Sequence, residues 1–268
     1  NCRNTALAPI KRSSGHTVSL TGENTMKTIS SAVAALSLTS TLAFAGGIDR
    51  STMPFSILFE KGSVAQLSFS NVTPSVSGIT PTPGPSLPTG NMAQSYTPVS
   101  LAFKSDLSDK LGLAVIVNSP YGADAAYTTG AYTGLEAHWK SDQIAALLKY
   151  KDTDRVSDYG GLRYVTSSAT INIPSQMTSG AGTYTASAAS DSQVGYVVGA
   201  AYEVPDIALR VGLSYETEIT HSFPTAERFA NVNSGYTMNS TTDIKLPQTL
   251  TLDFQSGVAK DTLVFGSI

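Results

Sequence analysis

The sequence predicts an all-β protein, an antiparallel up-and-down transmembrane β-barrel, and three observations lead to this fold class. Apolar and polar residues alternate along many segments, and no sustained helical period occurs after residue 46. The links between these segments are alternately short and long. Only 14% of the 268 residues are charged, against about 25% in a typical soluble domain. Low charge with abundant Ser, Thr, Gly and Tyr favours strands with polar but uncharged surfaces.

The N-terminal part of the chain has the composition of a bacterial secretory signal peptide. Lys27 follows Met26 as a short positive region, and a small-residue apolar stretch leads to the A-x-A site Ala43-Phe44-Ala45, which precedes Gly46. The apolar stretch is too short and too rich in Ser and Thr for a transmembrane anchor. We therefore expect cleavage between Ala45 and Gly46, followed by insertion into the bacterial outer membrane.

The domain organisation follows from this cleavage site. We expect an upstream leader outside the natural protein, then the signal peptide, a short N-terminal segment and a partial barrel, at residues 1–25, 26–45, 46–62 and 63–268. The single cysteine, Cys2, lies in the leader, so the secreted part needs no disulfide framework. The three histidines are scattered and join no carboxylate cluster, which predicts neither a metal site nor a cofactor. A net charge of -3 gives no reason to expect a nucleic-acid partner.

Nine strands are predicted from the alternation. They cover residues 63–77, 97–107, 111–121, 136–150, 156–173, 193–204, 207–221, 244–257 and 261 onward. In the seventh strand, odd positions from Ile207 to Tyr215 are apolar and even positions from Ala208 are polar, small or charged. This period of two places one apolar and one polar face on the strand.

The links between strands predict which ends of the barrel carry turns. Short links are expected at 108–110, 151–155, 205–206 and 258–260, and long polar loops at 78–96, 174–192 and 222–243. Tight turns at one rim and long loops at the other are typical of a transmembrane barrel. The barrel must also close, because an open sheet edge in lipid leaves backbone groups unpaired.

Three segments resemble the long-chain fatty-acid and aromatic-hydrocarbon transporters of the outer membrane, the FadL and TodX type. They are Leu67–Gly78, the run Asn118-Ser119-Pro120-Tyr121-Gly122, and Leu246–Leu252. The resemblance implies a barrel of fourteen strands, of which about nine are present here, with about five more expected beyond Ile268. It also implies an N-terminal hatch with an Asn-Pro-Ala motif. That motif is absent here, so we expect a reduced or missing hatch, with residues 46–50 as a remnant that reaches the lumen.

The resemblance further implies a side opening at a kink in the third strand, through which ligand leaves into the membrane. The matching positions are Asn118, Ser119, Pro120, Tyr121 and Gly122. Pro120 gives an independent reason for a disturbance, because proline cannot donate to the sheet ladder. It either kinks the strand or ends it.

Charged residues on the polar faces of the strands are candidates for the substrate path. Arg210, Glu216 and Glu218 lie at even positions of the seventh strand and are expected to face the lumen. A fatty-acid carboxylate would require a cation such as Arg163 or Arg210. Solvated ion pairs are the alternative role for these groups.

The predicted function is passive uptake of hydrophobic small molecules such as long-chain fatty acids. Apolar residues at inward positions, including Ile116, Val165 and Val197, favour this function. The alternatives are a general diffusion porin for small hydrophilic solutes and a non-transporting surface barrel. No nucleophile elbow or phosphate loop occurs, so no enzyme activity is expected. The expected partners are outer-membrane lipid and a hydrophobic ligand.

Overall fold

The computed structural model describes residues 48–80, 86–232 and 235–268. The predicted leader, the signal peptide and its cleavage site at Ala43, Ala45 and Gly46 lie outside these residues. Within the described ranges, no helix has both the length and the apolar character needed to cross a bilayer.

Strands form almost all of the regular structure. In chain order they are β1 (Val64–Phe69), β2 (Ile79–Thr80), β3 (Leu87–Pro88), β4 (Val99–Asp106), β5 (Leu111–Asn118), β6 (Gly122–Ala126), β7 (Glu136–Lys151), β8 (Val156–Ile173), β9 (Tyr184–Val204), β10 (Leu209–Glu216), β11 (Ile219–Phe229), β12 (Thr237–Leu246), β13 (Thr249–Ala259) and β14 (Thr262–Ser267). Short 3-10 helices lie at Phe55–Phe59, Gly130–Tyr132, Ser175–Met177 and Pro205–Ile207.

All strands except β2 and β3 belong to one antiparallel, strongly curled sheet. β5 and β6 both pair with β7, and β10 and β11 both pair with β9. In the same way, β12 pairs with β11 and β13 pairs with β10. Each of these pairs is therefore one barrel strand with an interruption, which gives nine barrel strands. The predicted all-β class and the count of nine are confirmed. β2 and β3 form a separate hairpin in the segment between β1 and β4.

The convex face of the sheet is apolar and exposed. Large side chains on it form rows across neighbouring strands, for example Leu101 opposite Val117, Val117 opposite Ile144, and Ile144 opposite Tyr164. These four side chains are all exposed, although apolar residues of this size are usually buried in soluble proteins. An apolar outer band is what a barrel presents to lipid.

The two rims differ, as the link lengths predict. Tight turns join β4 to β5, β7 to β8, β9 to β10 and β13 to β14. The predicted bounds of the long loops at 174–192 and 222–243, however, are wrong. β9 already begins at Tyr184, β11 continues to Phe229, and β12 begins at Thr237, so the loops between these strands are much shorter. Most residues of these extensions are small or polar, and only a few apolar side chains such as Phe223 interrupt them, so they lack the regular apolar alternation by which strands are recognised. Their backbone groups are nevertheless paired in register, from Ile173 with Tyr184 onward.

The chain before β1 lies on the concave face of the sheet. We call Ile48–Phe59 the N-terminal segment. Its 3-10 helix buries Phe55, Ile57 and Leu58 against small and apolar side chains of the wall, such as Ala145 and Val197. Lys104, which is 1% exposed, donates to the carbonyl oxygens of Glu60 and Gly62 and to the Asp106 carboxylate. Ile116, Val165 and Val197 are buried on this concave face, as expected from their positions.

Candidate functional site

The third barrel strand is interrupted between β5 and β6. Asn118 pairs with Gln143, and Gly122 pairs with Lys140, so three residues on this strand face two on β7. Pro120 occupies the middle of this bulge, where a missing N–H costs no ladder bond. The strand resumes at Gly122 beside the same neighbour, β7, so Pro120 interrupts the strand and does not end it; we call residues 118–122 the kink.

The N-terminal segment supplies hydrogen-bond partners to this interruption. The backbone N–H groups of Arg50 and Ser51 donate to the carbonyl oxygen of Pro120, at 2.8 and 3.3 Å. The N–H of Gly122 donates to the carbonyl oxygen of Ile48 at 2.7 Å. The hydroxyl of Ser51 donates to the Ser119 carbonyl at 2.9 Å and accepts from the Asn118 amide at 3.1 Å. Backbone groups that the kink removes from the ladder are therefore satisfied by residues 48–51.

The side chain of Arg50 strengthens the contact between the N-terminal segment and the kink by binding β6, the strand that follows the kink. Its guanidinium donates to Asp124 on β6 at 2.6 Å and lies 3.8 Å from the centre of the Tyr96 ring. The same side chain passes so close to Gly122 that a Cβ atom there would overlap Arg50 Nε and Cδ. Glycine at this position is therefore required for the close approach of the arginine.

Three of the predicted site residues meet on the concave wall beside the kink. Arg163 of β8 donates to Glu216 of β10 at 2.9 Å and to the Tyr121 hydroxyl at 3.0 Å. Its second terminal nitrogen donates to the carbonyl oxygen of Thr217 at 2.6 Å. Arg163 is 0% exposed, so the ion pair with Glu216 compensates a charge that is fully removed from water. Arg163 therefore links Tyr121 in the kink to Glu216 in β10, the first part of the seventh barrel strand.

Arg210 and Glu218 do not join this group. The guanidinium of Arg210 lies 4.6 Å from the centre of the Phe59 ring, near the rim that carries the tight turns. Glu218 was expected to face the lumen with Glu216, but its side chain is exposed and pairs with Lys245 at 2.7 Å. The physical reason is the interruption at residues 217–218, after which Ile219 and His221 are the buried positions. An alternation that is extended through this break assigns Glu218 to the wrong face.

A cavity of about 600 Å³ lies between the N-terminal segment, the kink and the wall. Its lining combines the charged groups Asp49, Arg50 and Glu216 with Tyr121, Pro120 and Phe55. Hydroxyl side chains of β1 and β13, such as Ser68 and Thr251, complete it. The volume lies in the range of small-molecule pockets, and the mixed lining suits a largely apolar ligand with few polar atoms.

Sequence reasoning missed two groups. Asp49 and Arg50 were considered only as part of a hatch remnant, and their contacts with the kink join residues about seventy positions apart. The second group is the chain Ser167–His221–Asp191, with Oγ to Nε2 at 3.2 Å and Nδ1 to Oδ2 at 2.9 Å. These atoms have the order of a nucleophilic triad. Ser167 is 1% exposed and His221 0%, so in this structure the chain is a buried polar network that holds the His221 ring against Phe223.

No protein-family model matches the sequence, and no curated protein matches it. Several solved structures, in contrast, resemble this chain in their fold. A Pseudomonas aeruginosa FadL homologue aligns with a TM-score of 0.58 at 13% identity, over 80% of this chain and 61% of that one. A TodX monoaromatic hydrocarbon channel mutant gives 0.55 at 13% identity, over 81% and 63%. The Ralstonia pickettii toluene transporter TbuX gives 0.52 at 12% identity, over 78% and 62%.

The chain has the fold of the FadL and TodX channels. The resemblance inferred from three sequence segments is confirmed at the level of this outer-membrane transporter-like β-barrel fold. The chain spans less than two thirds of the length of these FadL-type structures. The FadL-type structures that it matches are channels and transporters, not enzymes.

Proposed function

We propose that the protein is an outer-membrane channel for the passive uptake of hydrophobic small molecules. Long-chain fatty acids and aromatic hydrocarbons are the two substrate classes that the fold suggests. The proposal includes secretion through a signal peptide at residues 26–45, cleaved after Ala45, and contact of the apolar convex face with outer-membrane lipid.

The observation that carries the proposal is the cavity beside the kinked third strand. Ligand that enters the cavity from the lumen meets Pro120 and Tyr121, which lie in the gap between β5 and β6. Displacement of residues 48–51 would leave that gap without its hydrogen-bond partners and connect the cavity to the apolar outer face. The substrate path then consists of Asn118, Ser119, Pro120, Tyr121 and Gly122, with Arg163 and Glu216 beside it. Arg210 and Glu218 lie away from this path.

Uptake by whole cells tests the function. Cells that produce the full chain should accumulate labelled toluene or labelled oleate faster than cells without it, because the intact outer membrane slows both compounds. Equal rates in the two strains would overturn the proposal. Steady ion conductance in planar bilayers, with no gain in hydrophobic uptake, would instead support the general diffusion porin.

A reversible cross-link tests the route. Ser51 and Asn118 touch through their side chains, so the double variant Ser51→Cys/Asn118→Cys should form a disulfide that fixes the N-terminal segment to the kink. We expect uptake to fall at least severalfold on oxidation and to recover with reductant, while each single variant responds to neither treatment. Uptake that is unchanged in the verified cross-linked protein would exclude the gap between β5 and β6 as the outlet.

A further inference from the structure

The charged groups around the cavity are not balanced. Arg50 and Arg163 face three carboxylates, which belong to Asp49, Asp124 and Glu216. Both arginines are already engaged, Arg50 with Asp124 at 2.6 Å and Arg163 with Glu216 at 2.9 Å. Of these three carboxylates, Asp124 and Glu216 have cationic partners among the described side chains and Asp49 has none.

Asp49 is held in place by its backbone while its side chain is left open to the cavity. It forms an isolated antiparallel bridge with Tyr121, and the side chain is exposed. Among the residues that the structure describes, no side chain makes a hydrogen bond or an ion pair with its carboxylate. Partial removal from water raises the pKa of the Asp49 carboxyl. Its charge is consequently neither neutralised by a partner nor fully hydrated.

The cations near the cavity that could pair with a carboxylate ligand are already engaged by other groups. Arg163 is fully buried behind Tyr121 and Glu216, and the Arg50 guanidinium is stacked on Tyr96. Arg210 and Lys149 both lie over the Phe59 ring, and neither lines the cavity. A ligand anion in this space would meet an uncompensated carboxylate, at short range and with less screening than in bulk water.

We propose that the cavity selects uncharged hydrophobic compounds over hydrophobic carboxylates, and that Asp49 is the residue that sets this preference. The inference rests on the proposed uptake function and assigns a substrate class to the same site. Binding of an alcohol or a hydrocarbon is not weakened by charge repulsion from Asp49. Hydroxyl groups such as those of Ser68 and Thr251 can also form hydrogen bonds with the hydroxyl group of an alcohol. A fatty acid keeps its apolar contacts but adds a repulsive charge.

Competition binding on the full chain in neutral detergent tests this selectivity. A neutral fluorescent probe, 1-aminoanthracene, is displaced by decanol, by decanoate and by decane sulfonate, three ligands that each contain ten carbon atoms. Decane sulfonate stays ionised, so it separates repulsion from protonation of the ligand. We expect both anions to require about tenfold more ligand than decanol for half displacement, which corresponds to about 1.4 kcal/mol.

Charge variants identify the residue responsible. Asp49→Asn should reduce the tenfold gap, measured against decanol in the same variant, to about twofold. Asp154→Asn removes an equally negative side chain from an exposed turn, 99% accessible, and should leave the gap unchanged. Equal displacement by decanol and decanoate in the wild type, or an unchanged gap in Asp49→Asn, would overturn the inference. Both outcomes leave uptake itself intact, whereas failure of all three ligands and of the probe to bind would count against the proposed function.

Discussion

The two halves of the N-terminal segment contact the same barrel wall by different physical means. Residues 53–59 bury apolar side chains, and Phe55, Ile57 and Leu58 are each at most 3% exposed. Residues 48–52 instead use mainly hydrogen bonds, one ion pair and one cation–π contact, with Ile48 as their one partly buried apolar side chain against the wall. Burial of a large apolar side chain contributes about 1.5–3 kcal/mol, and a hydrogen bond about 0.5–1.5 kcal/mol net. We therefore predict that the first half is an anchor and that the second half detaches while the anchor stays bound.

Truncation of the anchor should give the largest effect. Phe55→Ala removes a ring that packs 5.8 Å from the Tyr159 ring, and we expect the free energy of unfolding to fall by about 3–5 kcal/mol. Urea unfolding in lipid vesicles measures it through Trp139, the single tryptophan. Ser56→Ala changes an exposed residue of the same helix and should have little effect. Similar losses in both variants would contradict the distinction between anchor and detachable half.

The sequence predicted the wall better than its interior. Strands with an apolar convex face alternate regularly, and the turns between them carry residues such as Pro205 and Asp206, so both were found. The extension that begins at Tyr184 was missed because the residues after Tyr184 are small or polar on both of its faces. Arg163 and Glu216 were recognised as candidates, yet their pairing depends on register between strands and on the break before Ile219. Local patterns do not contain that information.

Removal of the charged contact should weaken the detachable half by an intermediate amount. Arg50→Gln loses the ion pair with Asp124 and the stacking on Tyr96, which together contribute about 1–2 kcal/mol at a partly buried site. The detached population should rise about 5- to 30-fold. A thiol placed by Ser51→Cys reports it as a faster rate of labelling in the double variant than in the single one.

The control for this experiment is Lys61→Gln, which removes a positive charge from an exposed position outside the segment. The double variant Lys61→Gln/Ser51→Cys should be labelled at the same rate as Ser51→Cys alone. In Arg50→Gln the free energy of unfolding should change much less than in Phe55→Ala. A loss as large as that of Phe55→Ala would mean that the two halves unbind together and that the comparison fails.

The smallest change tests whether shape alone controls the detachable half. Gly122→Ala retains every charge but places a Cβ atom where Arg50 Nε and Cδ now lie, so the arginine must move away from Asp124. Because a flexible side chain can partly adjust, we expect a cost of about 1 kcal/mol and roughly fivefold faster labelling at Ser51→Cys. Gly212→Ala is the matched control, since a Cβ atom there meets nothing closer than 3.6 Å. Faster labelling in Gly122→Ala but not in Gly212→Ala assigns the effect to the fit of Arg50 at the kink. Equal labelling rates in the two glycine variants would show that Arg50 holds the segment through charge and not through position.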